Sequence, residues 1–204
     1  MHILPVRLTP PPTRQRAQGL SLVMVMVMMV LAVVSLLGIA GTQIALMSER
    51  SARNSRDQQI ALQSAEAGLI DAEIDISNAT LSTRQYLFDG KTSAAFPATG
   101  CGSSGDFRGL CAAVATGKPT WLSVDFSGST SSQTVPFGTF SGRSFSTSGA
   151  GLSPKYPPRY IIEAVPVQVG DKGATEQEVL YRVTSMGFGP REDVQTVVQM
   201  IYRR

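Results

Sequence analysis

The chain has 204 residues, 18 basic and 15 acidic, with a formal charge of +3 at neutral pH. That surplus lies in the first 19 residues, which hold Arg7, Arg14 and Arg16 and no acid; the rest balances, so nothing marks a nucleic-acid binder, which would carry a basic patch. His2 is the only histidine, so a chain shortened after residue 19 has none, which excludes histidine-based triads, Cys-His pairs and the common zinc sites.

Residues 1–19 read as a short basic leader ending Arg14-Gln15-Arg16-Ala17-Gln18-Gly19. From Leu20 to Met47 there is no charge. An ordinary secretory signal places its small-residue cleavage site after the apolar stretch. Here Gly19 comes before it, so cleavage between Gly19 and Leu20 would discard the leader and keep the apolar segment. Residues 20–47 make about 42 Å of helix, more than the roughly 20 residues a bilayer core needs. The alternation of Val23 to Val27 could suit a strand, but an isolated strand in lipid leaves its backbone unpaired. Arg50, Arg53 and Arg56 follow the segment, with Glu49 and Asp57 among them. Both flanks are therefore basic, and charge alone leaves the orientation open. Within the segment, Gly38 and Gly41 would let helices approach closely or let the helix bend. Met24, Met26, Met28, Met29 and Met47 suit packing against differing neighbours.

Residues 48–81 read as an amphipathic continuation of the same helix. Leu62, Ala65, Leu69, Ala72 and Ile76 recur at spacings of three and four. Gln63, Glu66, Ile70, Glu73 and Asp75 fall mostly off that stripe. No proline interrupts Leu20 to Ala95, and Ser77-Asn78 and Ser82-Thr83 are the breakers. The expected helix runs from Leu20 to about Ala79, or about 90 Å.

Residues 82–158 are rich in Gly, Ser, Thr and Pro, nearly pure in Ser, Gly and Thr at Ser127–Ser132 and again rich at Gly138–Gly151. They read as surface loops with at most short strands. Loops this long either carry binding function or are tolerated variable surface. Cys101 and Cys111 enclose a Gly- and Ser-rich turn; two cysteines outside the membrane segment suit a disulfide in an oxidising compartment, the alternative being two buried thiols. Closing so small a loop contributes roughly 2–3 kcal/mol. Redox catalysis lacks its C-x-x-C spacing. No G-x-S-x-G, phosphate loop or metal-ligand cluster occurs, and nothing pairs Asp89, Asp106 and Asp125 as acid and base.

Residues 159–204 read as an antiparallel meander. Tyr160–Val169, Glu178–Met186 and Val194–Tyr202 are the strands, with turns at Gly170-Asp171-Lys172-Gly173 and Gly187-Phe188-Gly189-Pro190. Pro166 weakens the first strand or marks an edge. One face should cover the helix stripe, because neither surface is stable alone in water.

The leader ending Gln18-Gly19, the apolar helix and Gln63-Ser64-Ala65-Glu66-Ala67-Gly68-Leu69 together resemble the PilX family of type IV pilus minor pilins. Ser48-Glu49-Arg50 with Asn54, Pro158-Arg159-Tyr160-Ile161-Ile162-Glu163 and Tyr181-Arg182-Val183-Thr184-Ser185 add to the likeness. The resemblance implies an α+β, type IV pilin-like fold, a long N-terminal helix packed on a small C-terminal antiparallel sheet. It implies cleavage after Gly19 by a prepilin peptidase, with methylation of Leu20. It places the chain in the inner membrane by one span, leader inside and head in the periplasm. It implies no cofactor and no chemistry, but assembly with other minor pilins and the major pilin through the N-terminal helix, priming the fibre at or near its tip beside an adhesin. Major pilins usually carry Glu as the fifth mature residue, where this chain has Met24. That suits a subunit needing no partner ahead of it, or is ordinary lipid-facing packing. A type II secretion pseudopilin shares the leader and helix but usually has a larger, mainly helical head. A bitopic envelope sensor or enzyme is the remaining alternative.

Overall fold

The computed structural model describes residues 15–78, 80–127, 132–149, 151–170 and 176–204. The elements are a helix α1 (Gln15–Ser77) and five strands: β1 (Leu110–Ala112), β2 (Val135–Pro136), β3 (Arg159–Val169), β4 (Glu176–Phe188) and β5 (Gln195–Tyr202). Short 3₁₀ turns occupy Gln85–Leu87, Gly105–Phe107 and Thr120–Leu122. The chain divides into two compact units, residues 1–52 and 53–204.

The helix begins at Gln15, before the expected start at Leu20, and ends at Ser77 rather than at Ala79. Asn78 Oδ1 accepts the N–H groups of Thr80 and Leu81 at 3.0 and 3.1 Å, a local turn that competes with further helix. Most of the leader, residues 1–14, lies outside the described residues.

In the second unit, the buried face of α1 is Asp57, Ala61, Ser64, Ala65, Gly68, Asp71, Ala72, Asp75 and Ile76. The expected stripe is right in period but wrong in two members. Leu62 is exposed, whereas Asp75, expected off the stripe, is fully buried. The face is small and polar rather than leucine-rich because β4 approaches it closely. A Cβ at Gly68 would overlap Ser185 Oγ, and one at Gly187 would overlap Ala61 O and Ala65 N. Glycine at both places lets the helix backbone lie almost against the strand.

The sheet is mixed, not purely antiparallel. β3, β4 and β5 form the expected meander, with Ile162 opposite Val183 and Val183 opposite Met200. β1 runs parallel to β3, and β2 runs antiparallel to it further along the same edge. Both extra strands come from the Gly/Ser-rich region, whose short apolar groups are too brief to show a period. Ile162 N–H donates to Gly109 O, so even-numbered β3 residues direct their backbone toward β1. The donor that Pro166 lacks is therefore missing on the side where β1 has already ended at Ala112. This is the edge role expected of Pro166. The turn expected at 170–173 lies largely outside the described residues.

Two clusters fill the head, one on each face of the sheet. Ala72 and Ile76 meet Tyr160, Ile162, Val179, Tyr181 and Val183 on the helix side, together with Val135 of β2 and Phe88, Phe96 and Phe140 from the loops. Cys111, Phe126 and Ile161 form the other, flanked by Cys101, Trp121 and Met186. The region read as surface loop thus supplies core aromatics to both.

Candidate functional site

Every residue from Ser21 to Met47 is exposed. In water this would be an apolar patch far larger than soluble monomers show. One helix, Ser21–Ser77, is long and apolar enough to cross a membrane, with a mean hydropathy of 3.0 in its best window. Two hydroxyls of the apolar stretch are satisfied within the helix. Ser35 Oγ donates to Leu31 O and Thr42 Oγ1 to Ile39 O, each at 2.8 Å, as a helix in hydrocarbon requires. Gly38 and Gly41 face open space, with nothing within 4 Å of an added Cβ. Met24 is 63 % exposed. Gly19 and Leu20 lie within the helical backbone of α1, and their side chains lie outside the described residues. Met24, Gly38 and Gly41 thus lie on one helix, and each is exposed among the described residues.

The head holds a second constellation, which the sequence reading missed. Asp75 and Arg84 are both fully buried and ion-paired. Arg84 Nε donates to both Asp75 carboxylate oxygens at 3.0 and 3.1 Å. Asp75 also accepts from Tyr160 Oη at 2.9 Å and Ser82 Oγ at 3.1 Å. Burial, then the Asp75 charge, pushes the Tyr160 phenol well above its ordinary value, so it stays a donor. Arg84 Nη1 donates to the carbonyls of Asp106 and Arg108 at 2.8 and 2.6 Å. The guanidinium lies 3.6 Å from the Phe140 ring centroid, a favourable cation–π placement. One buried arginine thus joins the end of α1, the Cys101–Cys111 loop and, through Asp75, the sheet.

One turn earlier, Asp71 accepts from Gly138 N–H at 2.8 Å and from Ser141 Oγ, with Arg143 at 3.9 Å. Burial nevertheless raises its carboxyl above the ordinary value. Glu163 and Arg182 are directly opposed on β3 and β4. They form a bidentate pair at 2.9 Å in each arm, and the hydrogen bond to Glu163 holds the guanidinium pKa up.

A disulfide joins Cys101 and Cys111, as read from the sequence. Asp89 and Asp125 have turn-making roles, accepting backbone N–H groups two or three residues on, and Asp106 bonds a distant tyrosine. Burial raises Asp89, but hydrogen bonds from Thr92 and Lys91 outweigh it and leave its carboxyl low. Hydrogen bonds from Ser127 lower Asp125. Asp106 accepts from Tyr86 Oη at 2.7 Å. Among the described residues no group of three or more His, Cys, Asp or Glu is placed to hold a metal. The buried network had one sequence signal: Asp71 and Asp75 stand four apart, adjoining the stripe members Ala72 and Ile76. Arg84, in a polar stretch, had none.

A long helix, apolar over residues 21–47, and a helix-on-sheet head define a pilin-like α+β protein with one helix long and apolar enough to cross a membrane. The family described as type IV pilus assembly protein PilX, C-terminal part, matches residues 107–204, and the PilX N-terminal family matches residues 18–69. The chain belongs to the PilX family of type IV pilus assembly proteins. No curated protein and no solved structure matches it. Membership makes it an assembly protein rather than an enzyme.

Proposed function

We propose that this chain is a minor pilin that primes type IV pilus assembly and enters the fibre at or near its tip. The observation that carries this reading is the uncharged helix surface from Ser21 to Met47, exposed along its whole length. Such a surface requires lipid before assembly and other helices after it. The leader is removed between Gly19 and Leu20 by a prepilin peptidase, and Leu20 is methylated. The chain then spans the inner membrane once, with its head in the periplasm, where the Cys101–Cys111 bridge is stable. Gly38 and Gly41 provide close approach for neighbouring helices, other minor pilins and the major pilin among them. Met24 takes the place where major pilins carry a Glu that pairs with a neighbour's terminal amine. A subunit without that charge needs no partner ahead of it through this contact. A tip adhesin is the expected neighbour of the head.

Mass spectrometry of protein purified from membranes tests the processing. A first residue of Leu20, methylated, supports the proposal, and an intact Met1 start or a cut beyond Met47 overturns it. Deletion of the gene should abolish or sharply reduce surface fibres; intact fibres with failed protein secretion would reassign the chain to a secretion system. Met24→Glu should change priming or subunit order in a reconstituted pilus, and unchanged order would remove the role given to Met24.

A further inference from the structure

The disulfide and the buried arginine are parts of one device. The carbonyls of Asp106 and Arg108, which accept from Arg84 Nη1, both lie inside the ring closed by Cys101 and Cys111. The enclosed segment contains Gly102, Ser103, Ser104, Gly105 and Gly109, and Phe107 is half exposed. Up to Gly109 it has little apolar burial of its own to hold its shape; Leu110, beside Cys111, is fully buried in the helix-side core. The ring is kept in place by Gly102 N–H to Leu110 O at 2.9 Å and Gly109 N–H to Gly102 O at 3.1 Å, and from outside by Ile162 N–H to Gly109 O and Arg108 Nε to Thr134 O, each at 2.8 Å, and Tyr86 Oη to Asp106 at 2.7 Å. Arg84 itself is fully buried, and the Asp75 carboxylate that pairs with it also holds Tyr160 and Ser82. If the ring opens, the carbonyls regain freedom and a buried cation loses acceptors where solvent does not replace them. A charge stranded in this way destabilises every element that shares it.

We propose that the Cys101–Cys111 bond is a redox latch for the helix end of the head, transmitted through Arg84. A dithiol reductant operates it. One reductant thiolate attacks Sγ of Cys101, the less buried of the two cysteines, and Cys111 leaves as a thiolate that takes up a proton. The second reductant thiol then displaces Cys101, which also leaves protonated, and the reductant departs as its own disulfide. Two electrons and two protons have moved to the protein. The result is a loosened loop and, beyond it, a loosened α1 end and Tyr160 contact. Only the oxidised subunit presents a finished head.

Hydrogen exchange on the full-length protein in detergent micelles, oxidised and after dithiothreitol, tests this. Reduction should speed exchange at least tenfold at amides 72–77 and 160–162 as well as at 101–111. Amides 196–200 of β5, which touch neither the loop nor Arg84, should keep their protection. In Arg84→Met the helix end should already exchange fast, and reduction should add little there. A rise confined to residues 99–112 in the reduced wild type overturns the proposal. So does uniform loss of protection across β5, or an equal helix-end rise on reduction in Arg84→Met. If that variant does not fold, the oxidised and reduced wild type decide the matter between them.

Discussion

Residues 21–47 and residues 57–76 belong to one helix and present opposite surfaces. The first stretch is apolar and exposed throughout; the second buries Asp57, Asp71 and Asp75 among alanines, serine and glycine. Along this helix burial therefore does not follow hydrophobicity. It follows the available partner: the head offers Arg84, Tyr160, Ser141 and the Gly138 amide to Asp71 and Asp75, whereas among the described residues 21–47 every residue is exposed. A surface that must meet lipid and then other helices stays free of charge. A surface that must hold one small domain in one register uses directional groups.

That contrast can be broken first at its apolar end. An aspartate at Val33 should prevent stable membrane retention, since a charge at the centre of a spanning helix costs about 2.5–3.5 kcal/mol on insertion scales; fractionation into carbonate-washed membranes reads the loss. Breaking the polar end is at least as severe. Asp75→Ala leaves Arg84 buried without its carboxylate and should destabilise the head by about 3–5 kcal/mol, measured by thermal or denaturant unfolding in micelles. The double change Asp75→Leu with Arg84→Met should be milder than either single change, because no charge is then stranded.

The close packing of helix on strand gives a smaller and graded effect. Gly187→Ala drives a methyl group into the α1 backbone at Ala61 and Ala65, whereas Gly68→Ala meets the movable Ser185 hydroxyl and Pro158. Both should fall in or above the range of about 1–3 kcal/mol typical of overpacking, with Gly187→Ala the worse. Equal costs would show that the strand shifts freely.

The smallest effect is on pH dependence. Burial raises the Asp71 carboxyl in the fold, so the folded state binds its proton more tightly than the unfolded chain does. Its contribution is greatest below the ordinary aspartate value and is lost as pH rises through the raised one. The stability of wild type relative to Asp71→Asn should therefore decline as pH increases across that window. A rise instead would mean that Gly138, Ser141 and Arg143 outweigh burial.

Much of this architecture was readable before any coordinates. Run length and lack of charge fix the apolar segment, and two-residue alternation fixes β3, β4 and β5 to within a few residues. The disulfide followed from two cysteines in a membrane-anchored chain. The remainder was hidden for definable reasons. β1 and β2 are three and two residues long, below the length at which a period exists. Phe88, Phe96, Phe126 and Phe140 are isolated aromatics whose burial depends on loop path. Asp75 falls off the apolar stripe in the sequence, and its burial depends on a partner, Arg84, that lies across a helix break. In the assembly segment, Gly38, Gly41 and Met24 were legible as residues, but their neighbours belong to other chains.

The account rests on the two stretches of the helix having different partners. The direct measurement is photolabelling of the full-length protein in bilayers with a carbene probe carried on lipid tails, followed by peptide mapping. Label should concentrate in residues 21–47 and be absent from 57–76. Label spread evenly along the helix, or centred on the head, would contradict it.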